Sequence, residues 1–292
     1  WSGMSGELYM NACQEENEDL ELAKKENEAA KKEEKLKGDS EKIKQRDIVI
    51  SRNKTASLKE NIKKVNTLKK GLNRNYLLKN FYIADSTTSI DNNVFNVKKL
   101  LSSDLRIKRN SNKPQILIFH THGGSEAFCD SKSGVTAQSI VGVGTTLTYN
   151  LKKYGYNVIH DTTKYDIING RIDRNRAYNN AAEHVKRTLK KYPSIQVIID
   201  LHRDGVGNKV HRTTVINGKR TAQVMFFNGL SRNRNGNIGY LYNPNLQYNL
   251  AFSLQLKLKC MENYNDFAKP VYLKGYRYNL HLRKRAFILS KK

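Results

Sequence analysis

From residue 115 onward, short apolar runs alternate with longer stretches whose apolar residues recur at helical spacing. The runs are "QILIF" (115–119), "YNVIH" (156–160), "IQVIID" (195–200), "AQVMFF" (222–227) and "AFIL" (286–289), each of strand length. Between them lie helix-like stretches over 135–153, 173–191 and 244–264. Continuous apolar strands alternating with amphipathic helices predict βαβ units. The expected fold is therefore α/β: three layers, with a mostly parallel sheet flanked by helices. In such sheets, sites collect beyond the carboxyl ends of the strands.

The pattern before residue 115 is different. Residues 14–48 are rich in Glu, Lys and Ala, with Glu21–Lys25 and Glu28–Lys32 paired one helical turn apart. Their apolar residues are too few for a coiled-coil seam, which predicts a solvated helix or tether. Helical spacing returns around 56–72 and gives way to a polar linker ending in "KRNSNKP" (108–114). Three regions follow: a charged helical or flexible extension (1–48), a helical and linker region (49–113), and an α/β domain (114–292).

Charge narrows the range of partners. The 292 residues carry 52 Lys and Arg against 27 Asp and Glu, a net charge of +25. Residues 1–48 hold 13 of the acids and 9 of the bases, so the rest holds 43 bases against 14 acids, a surplus of 29. Such a body is drawn to a polyanion such as nucleic acid, an anionic membrane surface or an acidic cell wall. No nucleic-acid-binding motif accompanies the charge, so nucleic acid is not expected among the partners. Cys13, Cys129 and Cys260 are widely spaced and form neither a disulfide framework nor a zinc finger. No run of about 18 apolar residues is present, so no membrane-spanning segment is expected.

Candidate chemistry sits where two predicted strands stop. In "ILIFHTHGGSEAF" (116–128) an apolar run ends in His120, Thr121 and His122, with Glu126 four residues on. In "VIIDLHRDG" (197–205) a second run ends in Asp200, His202, Arg203 and Asp204. Two histidines and a carboxylate from separate segments make a common catalytic zinc set, with a position left for water. His122, Glu126 and His202 are the candidates. His120 is an alternative ligand or an orienting neighbour. The plainer alternative is that such histidines are hydrogen-bonded loop residues. His281, in "YRYNLHLRKR", is a candidate substrate contact or a structural residue. His160, His184 and His211 have no supporting cluster. "GVGTTL" (142–147) is glycine-rich but lacks the phosphate-loop lysine, and helix packing explains its glycines as well.

Taken together, "ILIFHTHGGSEAF", "VIIDLHRDG", "GKRTAQVMFFNG" and "VYLKGYRYNLHL" resemble, in order over roughly 95–290, the stage II sporulation protein P family in its clostridial form. The resemblance implies a zinc-dependent N-acetylmuramoyl-L-alanine amidase-like enzyme of peptidoglycan, with endopeptidase activity in some members. It implies action outside the cytoplasm at the mother-cell/forespore septum during engulfment, from a membrane anchor that is not expected within these 292 residues. Its implied partner is stage II sporulation protein D, a lytic transglycosylase. Carried over, His122, Glu126 and His202 are zinc ligands, while Arg203 and His281 contact substrate or the developing oxyanion.

Two departures alter the expectation. "HTHGGSEAF" has one glycine more than the family spacing between the second His and the Glu. Ser290, in "AFILSKK", stands where the family has a catalytic Glu, and the closing segment after it is absent, as in a truncated domain. General acid–base help from that Glu is typically worth ~10²–10⁴-fold. The expectation is an amidase by descent with impaired turnover. The alternative is a non-catalytic, basic wall-binding adaptor for the transglycosylase.

Overall fold

A computed structural model describes residues 58–90, 94–128, 135–203, 212–264 and 266–291. The charged extension 1–48 lies outside them, as do Cys13, Cys129, Asp204 and His211. In chain order, α1 (Leu58–Gly71) and α2 (Arg74–Phe81) precede β1 (Tyr82–Ala84) and α3 (Val97–Ser102). Then come β2 (Ile116–Phe119), α4 (Ile140–Lys153), β3 (Val158–His160) and the hairpin β4 (Ile167–Ile168) and β5 (Arg171–Ile172). Next are α5 (Arg174–Lys191), β6 (Val197–Arg203) and the hairpin β7 (Thr213–Ile216) and β8 (Lys219–Ala222). The last elements are β9 (Val224–Gly229), β10 (Arg232–Asn233), β11 (Gly236–Asn237), α6 (Leu246–Asn263), β12 (Val271–Lys274) and β13 (Arg285–Lys291).

Seven strands form one sheet in the order β1-β12-β9-β13-β6-β2-β3. Every pairing is parallel except β9 with β13. The α/β expectation holds, and the antiparallel junction adds a consequence. β2, β3, β6 and β13 all end at one edge of the sheet, and β1, β9 and β12 end at the other. The strands carrying His122, His202 and Ser290 therefore deliver them to the same edge.

Helices cover both faces, which is why β6 is buried along almost its whole length. On one face, α5 lays down Ala181, Val185 and Leu189 at helical spacing against Leu117, Phe119, Ile198 and Ile288. On the other, α6 lays down Leu250, Leu254 and Leu258 beside Ile118, Ile199 and Phe287. Asp173 starts α5 by accepting from the Arg176 amide, and Ser139 starts α4 by accepting from the Val141 amide. The described part of 49–113, expected to be a helical and linker region, packs onto this same body. Its β1 is the edge strand beside β12, and Val65, Leu77, Phe95 and Leu100 join the core of the second face.

The glycine-rich stretch 142–147 is interior to α4, not a phosphate-binding loop. A Cβ at Gly144 would lie 2.6 Å from His160 Nε2 and 2.7 Å from His120 Nε2. Gly144→Ala should therefore destabilise the protein by about 1–3 kcal/mol through overpacking. That outweighs the ~1 kcal/mol gained from alanine's helix propensity. Urea unfolding at pH 7 reads the sign, and a more stable variant would contradict this packing.

Candidate functional site

The candidate site is assembled from the turn after β2 and the end of β6. Asp200 on β6 accepts two hydrogen bonds from Thr121, one from its amide at 2.9 Å and one from its hydroxyl at 2.6 Å. These bonds pin the post-β2 turn to β6. The turn then closes on itself, because the amides of Ser125 and Glu126 both donate to the His122 carbonyl at 3.1 Å. Glu126 is thereby brought back under His202. The additional glycine is absorbed within this turn.

His202 is 6% exposed and stands between two carboxylates. Its Nδ1 faces Glu126 Oε1 at 3.2 Å, and its Nε2 lies 2.9 Å from Asp200 Oδ1, off the line of a hydrogen bond. Burial alone would lower its pKa; the charges of Asp200 and Glu126 overcome that and hold it up to about 10. Glu126 is also buried. Its Oε2 accepts from the Arg203 amide at 2.6 Å, and Arg174 Nη2 lies 3.8 Å from Oε1. Arg174 also donates to the Ser125 hydroxyl at 2.6 Å.

His122 packs its ring 5.3 Å from that of His202 and 5.4 Å, edge-on, from Tyr178 of α5. Tyr178 in turn lies nearly parallel to His202, with centroids 6.4 Å apart. Burial pushes the His122 pKa well below its usual value, and the neighbouring His202 and Arg174 push it the same way. His122 Nδ1 is buried with no hydrogen-bond partner, whereas both ring nitrogens of His202 face a carboxylate. Two imidazoles and a carboxylate are the donor types suited to a zinc ion. As the side chains stand, however, no group of three His, Cys, Asp or Glu among the described residues is set around one metal position. Glu126 is turned toward the Arg203 amide and His202 instead.

The other candidates fall into different places. His120 lies next to α4, where Gly144 makes room for it. Its Nδ1–H donates to the Leu201 carbonyl at 2.8 Å, which leaves Nε2 to accept from His160 Nε2–H at 2.9 Å. Both ring nitrogens are occupied, and burial holds its pKa down to about 4. His160, taken from the sequence as lacking a cluster, is thus the partner of His120. Arg203 contributes its backbone amide, and strand alternation turns its side chain to the face opposite His202. Ser290 is in register with His202 across β13 and β6, on the same face and 9% exposed.

His281 sits in a short 3₁₀ turn (Leu280–Leu282) just before β13 begins. Its carbonyl accepts from Asn245 Nδ2, and burial, then the charges of Arg277 and Lys186, lower its pKa to about 4. The chain just before it reaches the helix over the site, since Asn279 Nδ2 donates to the Tyr178 carbonyl at 2.9 Å and the Tyr278 ring lies 5.3 Å from that of Tyr178. Sequence reasoning missed Tyr178, Arg174 and Asp166, the last of which is buried and accepts from the Gly124 and Ser125 amides at 2.8 and 2.9 Å. A cavity of about 780 Å³ adjoins the cluster at Arg174, lined also by Ile168, Arg171, Asp173 and Arg176.

A family model described as stage II sporulation protein P (SpoIIP) matches residues 3–290. The motifs quoted above span only the later part of that match. No curated protein and no solved structure matches the chain.

Buried histidines held neutral make stability depend on acid. His120 and His281 titrate near 4 when folded against about 6.5 when unfolded, so the unfolded chain takes up protons first as pH falls. Their contribution is fully present above pH 6.5 and is lost as pH drops toward 4. The contribution of His202 runs the other way, lost only as pH rises toward 10. In chelator-treated protein the urea midpoint should fall between pH 6.5 and 4, and His281→Gln should flatten that fall. An unchanged pH slope in the variant would contradict the burial of a neutral His281.

Proposed function

Because the family match spans nearly all of its length, the chain belongs to the stage II sporulation protein P family of sporulation proteins, and on that premise we propose that it is a peptidoglycan hydrolase of engulfment. The reaction proposed is cleavage of the amide between N-acetylmuramic acid and the L-alanine of the stem peptide, with endopeptidase activity as a second possible outcome of the same site. The single observation that carries this reading is the meeting of buried His122, Glu126 and His202 at one sheet edge, with Nδ1 of His122 unpartnered.

His122, Glu126 and His202 would hold a zinc ion, and the bonds made by His120 favour a supporting role for it over a ligand role. Zinc in this place supplies a Lewis acid for the amide carbonyl and a water activated near neutral pH. The remaining work falls to the chain's own groups. Asp200, tied to Thr121, fixes the orientation of the His202 ring through its Nε2, so zinc binding would require His202 to give up one of its two carboxylate contacts. Arg174 offsets the charge of buried Glu126 and holds the Ser125 hydroxyl beside it. Tyr178 covers the two imidazoles and limits water at that side. The cavity at Arg174 gives the peptide side of a substrate somewhere to lie.

The basic surplus suits an anionic wall, and the proposed setting is extracytoplasmic, at the septum, alongside stage II sporulation protein D. Among the described residues no helix is long and apolar enough to cross a membrane.

One observation favours a second reading, the wall-binding adaptor. Ser290 stands directly across from His202, where an acid could hand protons to the reacting amide, and a hydroxyl does not do that near neutral pH. Digestion of purified muropeptides, followed by chromatography of released stem peptide, separates the two. Ser290→Glu should raise the cleavage rate by ~10²–10⁴-fold over the present chain. His202→Ala added to that variant should remove the gain. A Ser290→Glu chain that binds wall material but releases no peptide would favour the adaptor.

A further inference from the structure

The turn that returns Glu126 to His202 carries two consecutive glycines. Internally it is closed by the Gly123 amide on the His120 carbonyl and by the Ser125 and Glu126 amides on the His122 carbonyl, with the Ser125 hydroxyl at 3.5 Å from the latter. A further anchor comes from outside, from the loop between β3 and β4. Asp166 is fully buried there, and its two carboxylate oxygens accept separately, Oδ1 from the Gly124 amide and Oδ2 from the Ser125 amide. Charge-assisted bonds of this kind are among the strongest that a backbone amide makes. The fit is close. A Cβ at Gly124 would stand 2.6 Å from Asp166 Oδ1 and 2.4 Å from Ile167 Cγ1, so the glycine is what lets the turn settle onto the carboxylate.

The backbone of Asp166 serves the same end by another route. Its carbonyl accepts from the Asp173 amide at 2.7 Å, closing the β4–β5 hairpin at the point where α5 starts. The next residue, Arg174, is the one that reaches Ser125 and Glu126. One buried residue therefore fixes both the turn carrying Glu126 and the start of the helix whose arginine faces it.

We propose that Asp166 is a positioning residue for Glu126, holding the His122–Glu126 turn so that its carboxylate meets His202, and that it thereby sets the affinity of this site for zinc. The proposal rests on the zinc reading given above. Asp166 touches neither substrate nor metal.

The test measures zinc affinity of the full chain by competition with a chromophoric chelator, and needs no turnover. Asp166→Asn preserves shape but presents an amide N–H₂ to backbone N–H groups. Its zinc dissociation constant should rise by about 10- to 100-fold, the usual scale for losing an outer support of a metal site. Asp85→Asn serves as the control for general loosening. Asp85 is also buried and also accepts from a neighbouring amide, that of Thr87, but stands at the end of β1. It should lower thermal stability while leaving zinc affinity unchanged.

Wild-type zinc binding with Asp166→Asn within about twofold of it would overturn the proposal alone. Equal losses in Asp166→Asn and Asp85→Asn would also overturn it, in favour of a merely structural role. A wild-type chain that takes up no zinc would overturn the zinc reading and this proposal together. Should Asp166→Asn not fold, hydrogen exchange in the wild-type chain decides. Slow exchange at the Gly124 and Ser125 amides supports the clamp, and exchange at the rate of an open loop overturns it.

Discussion

A histidine buried between two carboxylates governs how the site is built. His202 cannot carry charge in that position without Asp200 and Glu126, and neither carboxylate could stay buried without a positive partner or hydrogen bonds. Removing one member leaves an uncompensated buried charge, a loss of roughly 3–5 kcal/mol in comparable settings. Each of the three is secured separately: Asp200 by Thr121, Glu126 by the Arg203 amide, and His202 by its place in β6. The surrounding fold can be read as what keeps these three together.

The sheet supplies most of that constraint. Parallel pairing of β2, β6 and β13 brings three chain segments that are far apart in sequence to one edge. Register then decides what meets what. Phe119 pairs with Asp200, so the turn after β2 begins level with the end of β6, and Ser290 pairs with His202. Helix α5 closes the face above with Tyr178 and Arg174 near its first turn. The α4 side is occupied by a different pair, His120 and His160, whose bonds leave no ring nitrogen of His120 free. Along an extended chain His120 and His122 would share a face; the strand ends at Phe119 and the turn that begins at Thr121 carries His122 to Tyr178 of α5 instead.

Much of this was legible from residue order. The apolar runs marked β2, β3, β6, β9 and β13, and the helical stretches marked α4, α5 and α6, because burial on both faces leaves an unbroken apolar signal. β1 and β12 were not read as strands. Each is only three or four residues long, and "YIA" and "VYLK" carry too little pattern to separate them from loop. The hairpins had a signal that could have found them. Asn169–Gly170 and Asn217–Gly218 stand at their tips with positive φ, the two-residue turn that an Asn-Gly pair favours. The strand ends pointed to His122, Glu126 and His202 as a group. Tyr178 and Asp166 were not legible, since their roles depend on how α5 and the β4–β5 hairpin dock, and no spacing within the chain encodes that.

Family membership, a buried His122 nitrogen without a partner and a carboxylate beside two imidazoles at one sheet edge support the proposal of a zinc hydrolase of the cell wall, in which Ser290 would set how far the chemistry proceeds. The most direct test of that account is elemental analysis of the purified, tag-free chain after dialysis against metal-free buffer and re-exposure to zinc, with X-ray absorption to identify the ligands. The account predicts about one zinc per chain, surrounded by imidazole nitrogen and carboxylate oxygen, and none in a chain carrying His202→Ala. A chain that neither retains zinc nor takes it up would contradict it.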